Sequence, residues 1–285
     1  MNALLRCCVV LLLLVADFVW CAQVASVDAV RFRSFGIGSG LSQPTARAIL
    51  QDEQGFLWIG SQDGLNRFDG YNFRVYFRNR RDPSSLSDGH ITALARADNG
   101  GLWIGTMAGG LNHLDPATDA VSVLRRTDEP GSLAADSVVS LLRIADGSLW
   151  VSTTAGGLQR LGPKAEGFSS LAAGHNLGVI RSMVEGTDGV VWLGGSRGLW
   201  QHNPQNNSWR SVPIAGVETT DIQALALGAD GSIWVGTTGD GLLRISVTGE
   251  MQARYRSAVG SEGALPDDQI RSLLSTRAGQ LWVGT

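Results

Sequence analysis

An all-β fold, a β-propeller built of four-stranded blades, is what this chain of 285 residues predicts. Tryptophan recurs at positions 58, 103, 150, 192, 234 and 282, a period of about 40–50 residues that marks a repeat architecture. Around each tryptophan the same short apolar run stands between two glycine turns, as in DEQGFLWIGSQDGLNRFDG from Asp52 to Gly70. Such runs are too short for helices and are bounded by turn residues, which reads as strands.

Ahead of each tryptophan stands a glycine: Gly55, Gly100, Gly147, Gly189, Gly231 and Gly279. In most copies Asp, Asn or Gln precedes it, the signature of a two-residue hairpin turn in which both central residues have positive φ. Upstream lies a first strand with apolar residues at Ile91, Val138, Ile180, Ile222 and Ile270 (Ala46 in the first copy). Two positions further on, each copy has Ala or Ser: Ala48, Ala93, Ser140, Ser182, Ala224 and Ser272. A small side chain there suits strands converging on an axis. The glycine or serine two after each tryptophan (Gly60, Gly105, Ser152, Gly194, Gly236, Gly284) is expected to let backbone approach the indole ring closely. After the second glycine comes a third strand, and then a fourth, clearest at Phe73 to Phe77 and Val121 to Leu124. Four strands per unit make a propeller blade. Blades stack face to face, so the six tryptophans are structural, each adding roughly 3 kcal/mol or more where buried.

Residues 1–25 read as an export signal, and the repeats occupy 30–285. Arg6 precedes an unbroken apolar run, Cys7 to Ala16, which Asp17 ends before a membrane span of about 20 residues is reached. The protein is therefore expected in the periplasm. Net charge is −3, with Lys164 the single lysine, which argues against nucleic acid as a partner. All three cysteines, Cys7, Cys8 and Cys21, precede the repeats, so the repeat region has no disulfide framework and no thiolate metal site.

The series V-x-x-L, D-x-x-G-x-L-W-[IV]-G-T and G-L-x-R-[FY]-D resembles the two-component regulator propeller repeat, in register over nearly all of residues 36–285. The resemblance implies an exported sensory propeller ahead of a membrane helix and a histidine kinase (hybrid kinases included) or a diguanylate cyclase. It implies seven or more blades, so a chain ending inside its sixth repeat is read as a fragment, seven-bladed when complete. It also implies membrane attachment only through a later part, and a homodimer as the state of the full receptor.

One register position carries chemistry. Eleven residues before each tryptophan, beside the small residue, stand Arg47, Thr92, Val139, Arg181, Gln223 and Arg271. If the first strand is innermost, Arg47, Arg181, Gln223 and Arg271 gather at one mouth of the channel. Arginine there favours an anionic or hydroxyl-rich small molecule or oligosaccharide through paired hydrogen bonds. The competing expectation sends these side chains into solvent between blades. The D-x-x-G turns offer about one carboxylate each, too few for calcium, which takes 6–8 oxygens. The histidines His90, His113, His175 and His202 lack metal-ligand spacing. No metal, cofactor or catalytic residue is expected, and the part present is not read as an enzyme. Two rivals stand beside the sensor. One is a lyase similar to streptogramin lyase, which needs paired histidines that no shared blade position supplies here. The other is a secreted protein-interaction scaffold.

Overall fold

A computed structural model of the chain describes residues 33–285, apart from 165, 173, 218–220, 259–262 and 277. The export segment expected at 1–25 lies outside the described residues. Phe35–Thr285 is one compact unit.

Five four-stranded sheets follow one another, each an antiparallel meander in chain order. The first comprises β1 (Ala48–Gln51), β2 (Leu57–Gly60), β3 (Leu65–Phe68) and β4 (Phe73–Tyr76). The second is β5 (Ile91–Arg96), β6 (Leu102–Thr106), β7 (Leu111–Asp115) and β8 (Ala120–Leu124). Third come β9 (Val138–Arg143), β10 (Leu149–Thr153), β11 (Leu158–Leu161) and β12 (Phe168–Ser170). The fourth holds β13 (Ile180–Glu185), β14 (Val191–Gly195), β15 (Gly198–Asn203) and β16 (Ser208–Val212). In the fifth are β17 (Ile222–Leu227), β18 (Ile233–Thr237), β19 (Leu242–Ile245) and β20 (Met251–Tyr255). A sixth sheet has two strands among the described residues, β21 (Ser272–Ser275) and β22 (Leu281–Gly284). The first strands β1, β5, β9, β13, β17 and β21 run beside one another from sheet to sheet, so they are innermost. This is a β-propeller.

Apolar cores lie between sheets, one to a seam. Trp58 and Leu65 of the first sheet meet Ile91, Leu102 and Leu114 of the second. The same composition joins the second to the third, the third to the fourth, and the fourth to the fifth. Burial of the tryptophans follows from these seams. Trp58, Trp150 and Trp192 are buried, Trp103 and Trp234 half-buried, and Trp282 in the two-stranded sheet is 44% exposed. Trp282 therefore departs from the expectation that every repeat tryptophan is buried.

Two local expectations are corrected. The turn before each tryptophan is a longer hairpin loop than the two-residue kind. Gly55 N–H donates to Asp52 O and Asp52 N–H to Phe56 O, and Gly55 has φ +92° while Gln54 is not among the residues of positive φ. That is a turn closed by a left-handed glycine, and the same pair of bonds recurs at Gly147, Gly189, Gly231 and Gly279. Three loop residues need only one positive φ, which is why the position before glycine is free to be Asp, Gln or Ala.

The glycine two after tryptophan makes room for the next blade instead of for its own ring. A Cβ at Gly60 would lie 2.5 Å from Ile91 Cγ2, at Gly194 2.4 Å from Ile222 Cγ2, and at Gly236 2.6 Å from Ile270 Cγ2. The buried isoleucine at or just before the start of these first strands (Val138 in the third blade, against Gly105) thus seats on the preceding sheet's backbone. In four repeats the second glycine reaches the same neighbour by hydrogen bond: Gly64 N–H donates to Gly89 O, Gly110 to Asp136 O, Gly157 to Gly178 O, and Gly241 to Asp268 O.

Candidate functional site

The innermost strands reach their common axis with an irregularity at one shared register. Pairing of β5 with β6 passes from Ile91 to Ala93, leaving Thr92 unpaired. It likewise skips Val139 between Val138 and Ser140, Arg181 between Ile180 and Ser182, and Gln223 between Ile222 and Ala224. Each is a β-bulge, a device that re-aims a side chain and is concentrated beside functional sites. The position selected in the sequence for its polar side chains is therefore the bulge position in four blades.

Bulge residues reach across to neighbouring blades. Thr92 Oγ1 donates to Val138 O at 2.8 Å. Arg181 Nη1 donates to, and forms an ion pair with, Asp221 Oδ1 of the next sheet. Gln223 Nε2 donates to Asp221 Oδ2 at 3.2 Å. Arg181, Gln223 and Asp221 thus form one half-buried polar group spanning the fourth and fifth blades. The small residues beside them stitch the same strands together: Ser140 Oγ donates to Ile180 O at 2.8 Å, and Ser182 Oγ accepts from Leu225 N–H at 2.9 Å.

Arg47 and Arg271 stand elsewhere on the ring. Both are exposed. Arg271 Nη2 donates to Gln269 Oε1 at 2.7 Å. Arg47 lines a cavity of about 710 Å³ between the first and sixth sheets, with Ile49, Leu57, Leu274 and Trp282. Contacts among the described residues bring Arg181 to Gln223, and join neither to Arg47 or Arg271.

Asp221 was missed in the sequence. It lies two residues before the bulge, in a series that runs Thr45, His90, Ser137, Val179, Asp221 and Gln269. Period-two alternation puts this series on the same side of the strand as the ring, so the signal was present. Its backbone carbonyls close the strands below: His90 O accepts from Met107 N–H and Asp221 O from Thr238 N–H. With Asp221 included, the group at Arg181 is charge-balanced.

The carboxylates of the turns before tryptophan, Asp52 and Asp230, are occupied within those turns. Asp52 Oδ1 accepts from Phe56 N–H at 2.9 Å and Oδ2 from Trp58 Nε1 at 2.7 Å. Asp230 accepts from the Ser232 hydroxyl and pairs with Arg244, whose guanidinium lies 5.4 Å over the Trp234 ring. Among the described residues no three His, Cys, Asp or Glu side chains are grouped to hold a metal. His113 stacks on Trp103, whereas His175 and His202 lie near Trp209.

Fold and site together define a propeller whose innermost strands present a polar mouth. Residues 40–63, 85–108 and 264–285 match the family model described as two component regulator propeller. Those three segments thus match the two-component regulator propeller repeat. It is 48% identical over 56 residues to histidine kinase P4 of Formosa agariphila, an alignment covering 20% of this chain and 4% of the kinase. The extracellular domain of a putative hybrid two component system from B. thetaiotaomicron has the same fold: TM-score 0.64, 21% identity, covering 90% of this chain and 38% of that one. Virginiamycin B lyase from Staphylococcus aureus shares the fold at TM-score 0.66 and 12% identity, over 84% of this chain and 76% of the lyase. The chain thus spans well under half the length of the kinase and of the extracellular domain it resembles.

Proposed function

We propose that the chain is the exported, ligand-sensing propeller of a membrane signalling receptor, the input part of a two-component histidine kinase or a diguanylate cyclase. The repeat family and the extracellular relative support the signalling half of this reading. The single observation that carries the sensing half is the bulge register. Four blades spend an unpaired residue at one level of the innermost strands, and two of those residues meet at Asp221, Arg181 from across a blade boundary and Gln223 from the same blade. Each bulge re-aims its side chain out of the ladder, and at Arg181, Gln223 and Asp221 this leaves a half-buried polar group that water still reaches. On this reading the ligand is a hydroxyl-rich small molecule or oligosaccharide, and the propeller itself catalyses nothing.

The test is a thermal-shift screen of the chain against a panel of neutral and uronic-acid-containing oligosaccharides. The reading expects at least one member of the panel to raise the unfolding temperature, by mass action on the folded state, and the Arg181→Ala variant to lose that rise. A rise retained in full by the variant would remove the mouth as the site.

A further inference from the structure

One seam is built differently from the others. At the register opposite the residue before tryptophan, the third strand of each blade presents a side chain to the preceding blade. Leu114, opposite Leu102, packs on Trp58, and Ile245, opposite Ile233, packs on Trp192. Leu161 takes the same place opposite Leu149 and packs into the core that includes Trp103. In the fourth blade the residue is His202, opposite Val191.

His202 fills the apolar slot over Trp150, with ring centroids 5.3 Å apart, and stacks on Trp209 at 4.2 Å. It is 2% exposed, and its Nδ1 makes no hydrogen bond among the described residues. The neighbouring indole Nε1–H of Trp150 is likewise buried without a partner. We propose that the seam between the third and fourth blades is an acid-sensitive latch, held shut by neutral His202 and loosened when that imidazole takes up a proton.

The argument is one of donors and charge. A neutral imidazole leaves Nδ1 or Nε2 as an acceptor, whereas the cation carries N–H on both nitrogens. The cation would add a donor in a slot whose other unsatisfied group, Trp150 Nε1–H, is also a donor. No carboxylate is there to receive it. Of the elements packed on His202, β10, β14 and β16 present Trp150, Val191 and Trp209, which are uncharged. The segment between β12 and β13 presents His175, 5.6 Å from Trp209, whose charge would repel a second cation. Stacking on indole favours an imidazolium, and so does the backbone hydrogen bond with Ser208 on β16, but burial is the largest cause and the net shift is downward. Burial accordingly holds the His202 pKa below its ordinary 6.5.

The sign follows. The unfolded chain binds the proton more readily, so the seam keeps its full stability above about pH 6.5 and loses it as pH falls toward the lowered folded-state value. Lowered carboxylates such as Asp230 act only in more acidic solution, so the window is clear of them. His113, half-buried against Trp103, is lowered as well. The difference between wild type and variant is therefore read, and not the wild-type slope alone. The proton here acts at a place of its own, independent of the polar mouth.

The experiment is urea unfolding of the full 285-residue chain, followed by tryptophan fluorescence at several points between about pH 7.5 and about pH 5. His202→Leu installs the residue found at the same register in the second and third blades. Wild type should lose more stability on acidification than His202→Leu does, and His175→Gln should keep the wild-type trend. Equal slopes in wild type and His202→Leu would overturn the latch. So would loss of the trend in His175→Gln, since the titrating group would then be His175. Should His202→Leu fail to fold, ring-nitrogen NMR of the wild-type protein decides. A His202 signal titrating below 6.5 supports the latch, and one at or above it contradicts it.

Discussion

A tryptophan in this chain is worth what the next blade makes it worth. Trp150 is 1% exposed beneath His202, whereas Trp282 is 44% exposed beside the cavity between the first and sixth sheets. Trp150→Ala should therefore cost about 3–5 kcal/mol of unfolding free energy, through lost burial and the cavity left behind. Trp282→Ala should cost clearly less, since nearly half of that side chain is already in water. Urea unfolding of the two variants measures both, and equal losses would show that motif position alone sets the contribution. The same distinction marks what was legible in the sequence. Repetition located Trp58, Gly60 and Ile91, but their partnership was hidden, because it joins residues of two different copies. Aligning the repeats on one another compares each residue with its counterparts and never with its contact in the next blade.

At the scale of the element, the turns are where strand pairing and blade contact are fixed together. Gly241 has φ +77°, and a Cβ on it would lie 2.1 Å from Tyr255 O. Its N–H also crosses the seam to Asp268 O at 3.0 Å. Gly231 shares the positive φ, but its nearest neighbours, Thr187 Oγ1 and Val247 Cγ1, leave a Cβ room at 3.4 and 3.6 Å. Gly231→Ala should thus cost about 1 kcal/mol from φ alone, and Gly241→Ala clearly more, read again by urea midpoint. The turn acid Asp230 adds a pH signature. Its bonds from Ser232 first, and then from Arg244, hold its pKa down to about 2. Its stabilising share is present above the unfolded-state value near 3.9 and is lost as pH falls from there toward about 2. Asp230→Asn should flatten the acid limb of a stability–pH curve between those values; an unchanged limb would mean the turn bonds do not outlast solvent exposure. The turn type itself was misread from sequence, since Asp-Gly and Asn-Gly serve a three-residue loop as well as a two-residue one. Only the backbone bonds tell them apart.

For the whole molecule, the seam between the first and sixth sheets is the distinguishing surface. Ile49 is 65% exposed, Leu274 62% and Trp282 44%, around a cavity of about 710 Å³. Apolar area of this kind drives association. Concentration-dependent self-association is therefore expected by sedimentation, and it should weaken in an Ile49→Ser, Leu274→Ser double variant. A chain that stays monomeric at every concentration would show the seam to be closed in solution.

Propeller architecture, the strand order within blades and the polar register eleven before tryptophan were readable from six aligned copies, whereas the bulge at that register was not. The grouping at the mouth was readable only in part. Arg181 and Gln223 meet, but through Asp221, an acid two residues upstream that had drawn no attention, and Arg47 faces a seam the repeat pattern does not reveal.

The most direct test of the account is the affinity of the best oligosaccharide from the screen, measured by calorimetry for wild type and Arg181→Ala. Loss of one charge-assisted contact of about 1.5–3 kcal/mol predicts roughly ten- to a hundredfold weaker binding. Fold stability should stay nearly unchanged, since Asp221 is 33% exposed and water can take the place of its lost partner. An affinity identical in the two proteins would contradict the mouth as the sensing site.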